Sequence, residues 1–241
     1  MYTWDARIRF SETDENGRLK LTSLVDYFQD CSTFQSEDVG FGVEWLLSHR
    51  RVWVVNSWQI DIARLPHSGE RVTVGTVPYD IHGFIGLRNF FMNSPSGERL
   101  AIANSVWSYL DIDTGEAIRA PEEMKEAYGL EEKLDMEYLP RKIPFSADAG
   151  TGKLEPVYER QEHLDSNGHV NNGQYIRMAM SAAFGSDEPD VARLRAEYKR
   201  QSHLGDVLYP AVAENGDLKT KTIALLGGDD ASCCTIELTL H

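Results

Sequence analysis

Cysteine is scarce in this chain of 241 residues: there are three, and two of them, Cys233 and Cys234, are adjacent. That count and spacing fit neither a disulfide framework nor a zinc site, and they make a reducing, cytoplasmic address the expectation. Long apolar runs are missing as well. None approaches the roughly 20 residues of a membrane span, and the opening MYTWDARIRF goes straight into strand-like alternation, unlike a signal or transit peptide. Positive charge is in short supply, with 24 Lys and Arg against 38 Asp and Glu, a formal net charge of −14. Nucleic acid is thereby disfavoured as a partner, because a basic face supplies most of that affinity. Gly-rich phosphate loops, a Gly-x-Ser-x-Gly elbow and histidine pairs with metal-site companions are all absent, so no cofactor and no metal are expected.

What the chain does have is a folded protein's balance, 41% hydrophobic and 26% charged, and one conspicuous polar stretch. LDSNGHVNNGQYI, Leu164 to Ile176, crowds asparagine, aspartate, glycine and histidine directly ahead of an apolar run. A counterpart begins at Thr13, TDENGRLKLTSLVDYF. Asp14, Asn16 and Gly17 match Asp165, Asn167 and Gly168 at an offset of 151. After each match comes a helical stripe: Leu21, Leu24, Val25 and Phe28 in the first, Ile176, Ala179, Met180 and Ala183 in the second. A second pair of blocks, IDIARLPHSGERVTV and AEYKRQSHLGDVLYP, aligns Asp61, Arg64, His67 and Gly69 with Glu197, Arg200, His203 and Gly205 at an offset of 136. The fall from 151 to 136 leaves the first copy with 15 extra residues, which coincide with FGVEWLLSHRR.

Around the two helices the chain reads as strand, rich in β-branched and aromatic residues and punctuated by turns such as SPSGER and DTGEAI. Each half is then an early strand, a long helix and several antiparallel strands, an α+β plan in which the helix covers the apolar face of a sheet. Residues 121–150 are charged, lack a sustained pattern beyond a short helix, and read as the connector between residues 1–120 and 151–241.

With these residues in view, the chain resembles the acyl-acyl carrier protein thioesterases, a family of two hotdog domains fused in one chain. Asp165-Ser166-Asn167-Gly168-His169-Val170-Asn171-Asn172 looks like that family's Asp-x-Asn-x-His-Val-Asn-Asn motif, and Glu197 to Leu208 resembles its second block. The resemblance implies two fused hotdog domains, each a curved antiparallel sheet around one long helix, forming a pseudo-dimer. As a fused pair, the chain is expected as a monomer or a homodimer. It also implies hydrolysis of acyl-acyl carrier protein to a free fatty acid. One departure bears on mechanism: where plant members carry Glu-Cys, with the cysteine proposed as nucleophile, this chain has Gln201-Ser202.

The residues suit a reaction without an enzyme nucleophile. A thioester's leaving thiolate has a pKa near 8.5, so hydrolysis needs an activated water and a stabiliser for the oxyanion. A helix starting near Asn171 offers N–H groups and positive dipole, and the backbone amides of His169 and Val170 are expected to meet the oxyanion. Asp165 and His169 are expected to share water activation, with Asn167 holding water or carbonyl in line, and Gln201 and Ser202 helping from the facing strand. Asn171 and Asn172 are equally readable as helix caps. Glu197 reads as an ion-pair partner, and His67 and His203 as turn residues. In the first copy Arg18 stands where histidine would be, and a protonated arginine is no base.

That first copy is free to shape an acyl pocket, with Trp45 and Leu47 in its extra segment setting chain length. Arg193, Arg195, Lys199 and Arg200 form a local basic cluster suited to an acidic carrier protein, since screening over about 8 Å lets a patch outweigh net charge; pairing with internal carboxylates is the alternative. The competing functional readings are an acyl-coenzyme A thioesterase and a non-catalytic acyl-binding protein. A hotdog dehydratase would show Asp-x-Asn-Pro-x-His, and Gly168 leads directly into His169 here.

Overall fold

The apolar stripe Leu21, Leu24, Val25 and Phe28 lies on α1 (Leu21–Asp38), and all four side chains are buried. The computed structural model describes residues 1–146, 150–164, 169–187, 189–214 and 219–241, which divide into two compact units, Met1–Leu139 and Pro140–His241. In the first, α1 follows β1 (Tyr2–Arg7) and a short 3-10 turn, Phe10–Glu12. The helix α2 (Val43–Ser48) then leads into β2 (Arg51–Ile62), β3 (Arg71–His82), β4 (Ile85–Asn93) and β5 (Arg99–Asp111). The antiparallel order is β1-β3-β4-β5-β2. Irregular registers at Val55/Ser57 and Pro78/Asp80 are the places where extra residues bend such a sheet. Phe28 fastens the helix to it, with ring centroids 5.4 Å from Phe90 and 6.3 Å from Trp58.

The boundary between units falls inside the segment read as a connector. Residues Glu122–Tyr128 form α3, whose Met124 and Tyr128 are buried with Ile81, Tyr109 and Ala120. Further along, the Gln59 side chain donates to the Glu137 carbonyl at 2.7 Å and accepts the Leu139 N–H at 3.0 Å. The residues beyond pack on the second unit: Ile143 is buried, and its N–H donates to Glu197 Oε2 at 3.1 Å. A few well-placed apolar and amide groups thus anchor a stretch whose composition is mostly charged.

The second unit repeats the plan. After β6 (Gly150–Lys153), β7 (Val157–Tyr158) and a 3-10 turn at Gln161–His163 comes α4 (Asn172–Phe184). Strands β8 (Val191–Tyr198), β9 (Val207–Glu214), β10 (Thr220–Leu226) and β11 (Ser232–Leu240) follow. Their order, β8-β11-β10-β9-β6, with β7 also on β9, mirrors β2-β5-β4-β3-β1. Each unit is therefore one antiparallel sheet with one long helix laid across it, the hotdog arrangement. The apolar face of α4 differs from the expected stripe. Tyr175, Ile176, Met178 and Ala179 are buried, whereas Met180 and Ala183 are only half-buried. The buried face takes in Tyr175, whose hydroxyl is hydrogen-bonded inside the unit.

Candidate active site

The polar stretch ahead of α4 is pinned on either side. Leu164 and Val170 form an antiparallel bridge. The Asn171 N–H donates to the His163 carbonyl at 2.9 Å, and the Val170 N–H to the Ser202 carbonyl at 3.1 Å. Asn171 is the helix cap: its side-chain oxygen accepts the Gly173 N–H at 2.8 Å, satisfying one donor that the first turn leaves open. Of the motif's residues, Asp165, Ser166, Asn167 and Gly168 lie outside the described residues. His169 is half-buried, and its ring meets that of His203 edge-on, with centroids 5.2 Å apart.

The first unit has the same hydrogen-bonded frame. There the Leu19 N–H donates to the Pro66 carbonyl at 2.8 Å and the Lys20 N–H to Glu12 at 2.9 Å. Gly69 and Gly205 sit at φ of +82° and +86°, a conformation that glycine adopts without strain. Their amides donate to the carbonyls of Ile8 and Glu159, at 2.9 and 3.2 Å. His67 and His203 each donate a backbone N–H to an acid three residues on, Glu70 and Asp206. Where the first unit bridges Arg18 to His67, the second packs His169 on His203. The matched offsets in the sequence pointed to this pairing; reading His203 as a turn residue alone missed it.

Two expectations are corrected. The Val170 amide is bonded to Ser202, so it is not aimed at an oxyanion. Gln201 and Ser202 are not on a strand, since β8 ends at Tyr198. Gln201 is exposed, while Ser202 is 1% exposed and donates its N–H to the Tyr175 hydroxyl at 2.9 Å. Burial pushes the Tyr175 phenol up to about 12, so it stays a neutral hydroxyl at physiological pH.

A further pair went unread in the sequence. Glu159 and His163 are both buried, with Glu159 Oε2 at 2.9 Å from His163 Nδ1. Glu159 Oε1 is buried with no hydrogen-bond partner among the described residues. Burial pushes this carboxyl above its ordinary range, with His163 pulling the other way.

The basic cluster is largely engaged within the second unit. Arg195 is buried, paired with Glu237 at 2.7 Å and donating to the Pro140 carbonyl at 2.6 Å. Lys199 reaches Thr235 Oγ1 at 3.0 Å and Glu197 at 3.6 Å, and exposed Arg200 pairs with Asp229 at 2.7 Å. Arg193 is half-buried on β8 opposite Thr239. Internal pairing, the alternative reading, thus describes Arg195, Lys199 and Arg200. Tyr198 faces α4, donating its hydroxyl to the Asn172 carbonyl at 3.1 Å. Arg195 and Glu197 lie on the opposite face of the sheet, beside a cavity of about 650 Å³ lined by Ile143, Phe145, Lys199, Leu226 and Thr235. None of the motif's described residues, 169–172, lines that cavity.

In the first unit, Trp45 is half-buried against Phe41 and His49, with centroids at 4.7 and 3.9 Å, and packs on the Tyr109–Tyr128 cluster. Leu47 is 45% exposed. Among the described residues no group of three or more His, Cys, Asp or Glu could hold a metal ion, and no helix is long and apolar enough to cross a membrane.

Comparison with known proteins agrees with this frame. The family model described as the acyl-ACP thioesterase N-terminal domain matches residues 1–128. A chloroplastic acyl-acyl-carrier-protein hydrolase of Cuphea viscosissima is 25% identical over 227 residues, covering 87% of this chain and 54% of that protein. The chain spans about half the length of the curated relatives it matches. The crystal structure of a candidate oleoyl thioesterase from Lactobacillus plantarum matches with a TM-score of 0.86 at 27% identity, over 100% of this chain and 96% of that one. An acyl-ACP thioesterase from Bacteroides thetaiotaomicron matches with a TM-score of 0.87 at 21% identity, over 99% and 97%, a likeness of fold.

Proposed function

Because this chain belongs to the acyl-ACP thioesterase family, we propose that it hydrolyses the thioester of an acyl group carried on acyl carrier protein. The products are a free fatty acid and the carrier's thiol. The observation that carries this reading is the half-buried His169 imidazole, set against His203 just ahead of the capped α4 N-terminus, in the copy that bears the family's motif. The first copy has the same frame with Arg18 in place of the imidazole.

In the proposed reaction, Asp165 and His169 take a proton from water as its oxygen adds to the thioester carbon, and Asn167 aligns the reactants. The positive end of the α4 dipole lies toward the developing oxyanion. Collapse of the tetrahedral intermediate breaks the C–S bond, and the thiolate takes up a proton. Attack by water rather than by a cysteine is supported by the thiols themselves. All three are buried, and burial pushes Cys31 up to about 12 and Cys234 well above the usual thiol range. The first unit takes the acyl chain along α2 and its apolar support. Arg195 and Lys199, engaged internally, are not assigned to carrier contact.

The experiment is thiol release from acyl-acyl carrier protein and from acyl-coenzyme A, with wild type beside His169→Ala and Asp165→Ala. Faster release from the carrier, and a loss of about a hundred- to ten-thousand-fold in each variant, is expected. Release from coenzyme A alone reassigns the handle. No release from either makes this an acyl-binding protein.

A further inference from the structure

The two copies share a backbone frame but use it differently at one pair of positions. In the first, Ile8 donates its N–H to the Glu70 carbonyl at 2.9 Å and its carbonyl accepts from Gly69; its side chain is plain core, 2% exposed. Four residues on, Glu12 Oε2 accepts the Arg9 N–H at 2.8 Å and the Tyr27 hydroxyl at 2.8 Å, tying the turn to α1. In the second copy the backbone bonds recur: the Glu159 N–H donates to the Asp206 carbonyl at 2.9 Å, and its carbonyl accepts from Gly205. The side chains, however, are exchanged. Glu159 stands where isoleucine was, and His163 where glutamate was, with Met178 replacing the tyrosine. His163 Nδ1 faces the Arg160 N–H at 3.3 Å and Glu159 Oε2 at 2.9 Å. The link now runs between the residue after β7 and the turn, no longer between the turn and the helix.

That link joins the two segments that carry the site's imidazoles. Glu159 is fastened by its backbone to the 203–206 turn, which presents His203. The carbonyl of His163 holds the Asn171 N–H, and Leu164 bridges to Val170, which closes the stretch bearing His169. The side-chain pair is the crosspiece. A buried carboxyl with one oxygen unpartnered among the described residues is costly to keep unless something is gained by it. The acid–imidazole pair occurs in the copy that has His169, and not in the copy with Arg18.

We propose that Glu159 and His163 are positioning residues of the thioesterase site: sharing one proton between Oε2 and Nδ1, they hold the His169 stretch and the His203 turn in register. The proposal rests on the functional reading above for its consequence in catalysis, but not for its geometry. Among the described residues, the other groups facing Glu159 are Asp206 and Tyr175. Asp206 repels the ionised form of Glu159, and Tyr175 stays neutral at physiological pH. A neutral imidazole keeps one N–H, so the crosspiece holds while a proton lies on Nδ1 or on Oε2, and it opens only where an ionised Glu159 meets the tautomer protonated at Nε2.

The chain supplies its own control, since the first copy's turn cap, though not its tyrosine bond to the helix, can be transplanted as Glu159→Ile with His163→Glu. Three proteins are compared: wild type, that double variant and the isosteric Glu159→Gln. The readouts are Tm, thiol release from acyl-acyl carrier protein across pH, and the imidazole NMR resonances of His169 and His203. The double variant is expected to melt within a few degrees of wild type yet lose roughly ten- to a hundred-fold in kcat/KM, the scale of a displacement on the order of 1 Å at a site. Glu159→Gln is expected to remove one ionisation from the pH profile and to shift both imidazole resonances. Wild-type turnover and an unchanged profile in the double variant would make the pair a mere turn cap and overturn the proposal. If the double variant does not fold, Glu159→Gln decides by the same two readouts. If wild type releases no thiol at all, the functional reading fails by itself, and unmoved imidazole resonances in Glu159→Gln would still sink the crosspiece.

Discussion

The hydroxyl of Tyr175, in the first turn of α4, accepts the backbone N–H of Ser202 at 2.9 Å. The carbonyl of the same Ser202 accepts the Val170 N–H. One residue of a loop is thereby held from the helix on one side and from the polar stretch on the other. Tyr175→Phe keeps the ring but leaves a buried N–H without its acceptor. It should cost about 1–3 kcal/mol, read as a lower Tm, and should slow thiol release by loosening the His203 turn. Unchanged stability would mean that another acceptor takes over the amide.

Buried thiols should be bystanders. Cys31, Cys233 and Cys234 are all buried, and the first and last are shifted away from reactivity. Iodoacetamide at neutral pH should leave thiol release intact over a period in which an exposed thiol is fully alkylated. Rapid inactivation with modification of any of the three would reopen a covalent mechanism.

Trp45 and Leu47 should part company. The indole packs between Phe41, His49 and the Tyr109–Tyr128 cluster, whereas Leu47 is exposed. Trp45→Ala should therefore shift the chain-length profile of released fatty acids, and Leu47→Ala should shift it less. Identical profiles for Trp45→Ala and wild type, with the fold intact, would place the acyl chain elsewhere.

A buried guanidinium makes a stability test in the first unit. Arg88 donates to Gln35 Oε1 at 2.5 Å and to Thr76 Oγ1 at 3.2 Å, and lies 5.0 Å from the centre of the Tyr128 ring. No carboxylate among the described residues is paired with it. Gln35→Leu alone should destabilise by about 1–3 kcal/mol by stripping an acceptor from a buried cation. Adding Arg88→Met should restore most of that loss, because apolar replacement of buried charge is often neutral or better. Simple additivity of the two losses in a double-mutant cycle would show that they do not act as a unit.

Stability should follow pH at Glu159 in a defined direction. Burial raises this carboxyl on folding, so its contribution is fully present below the unfolded value near 4.5 and disappears as pH rises through the folded one. Glu159→Gln cannot ionise. Its Tm relative to wild type should therefore climb as pH is taken from about 4 to about 8, even as its turnover falls. A difference that stays flat would show that folding leaves this carboxyl unshifted.

Much of this molecule is written in local pattern. The α1 stripe, the strand segments, the turn glycines at 69 and 205 and the Asn171 cap were legible because helical spacing, β-branched runs and turn chemistry act over a few residues. The two-copy plan was legible for the same reason, applied twice. Partner choice was not. Whether Arg195 faces a carrier or Glu237 depends on the β8–β11 register, which sets them opposite each other. The meeting of His169 with His203, of Val170 with Ser202 and of Glu159 with His163 likewise depends on where separately coded segments come to rest. A charge or an amide carries no mark of its partner in the sequence. Packing decides which of several chemically equal partners lies within reach, whereas the exchange of Arg18 for His169, which separates a polar turn in the first copy from a candidate active site in the second, is written in the sequence.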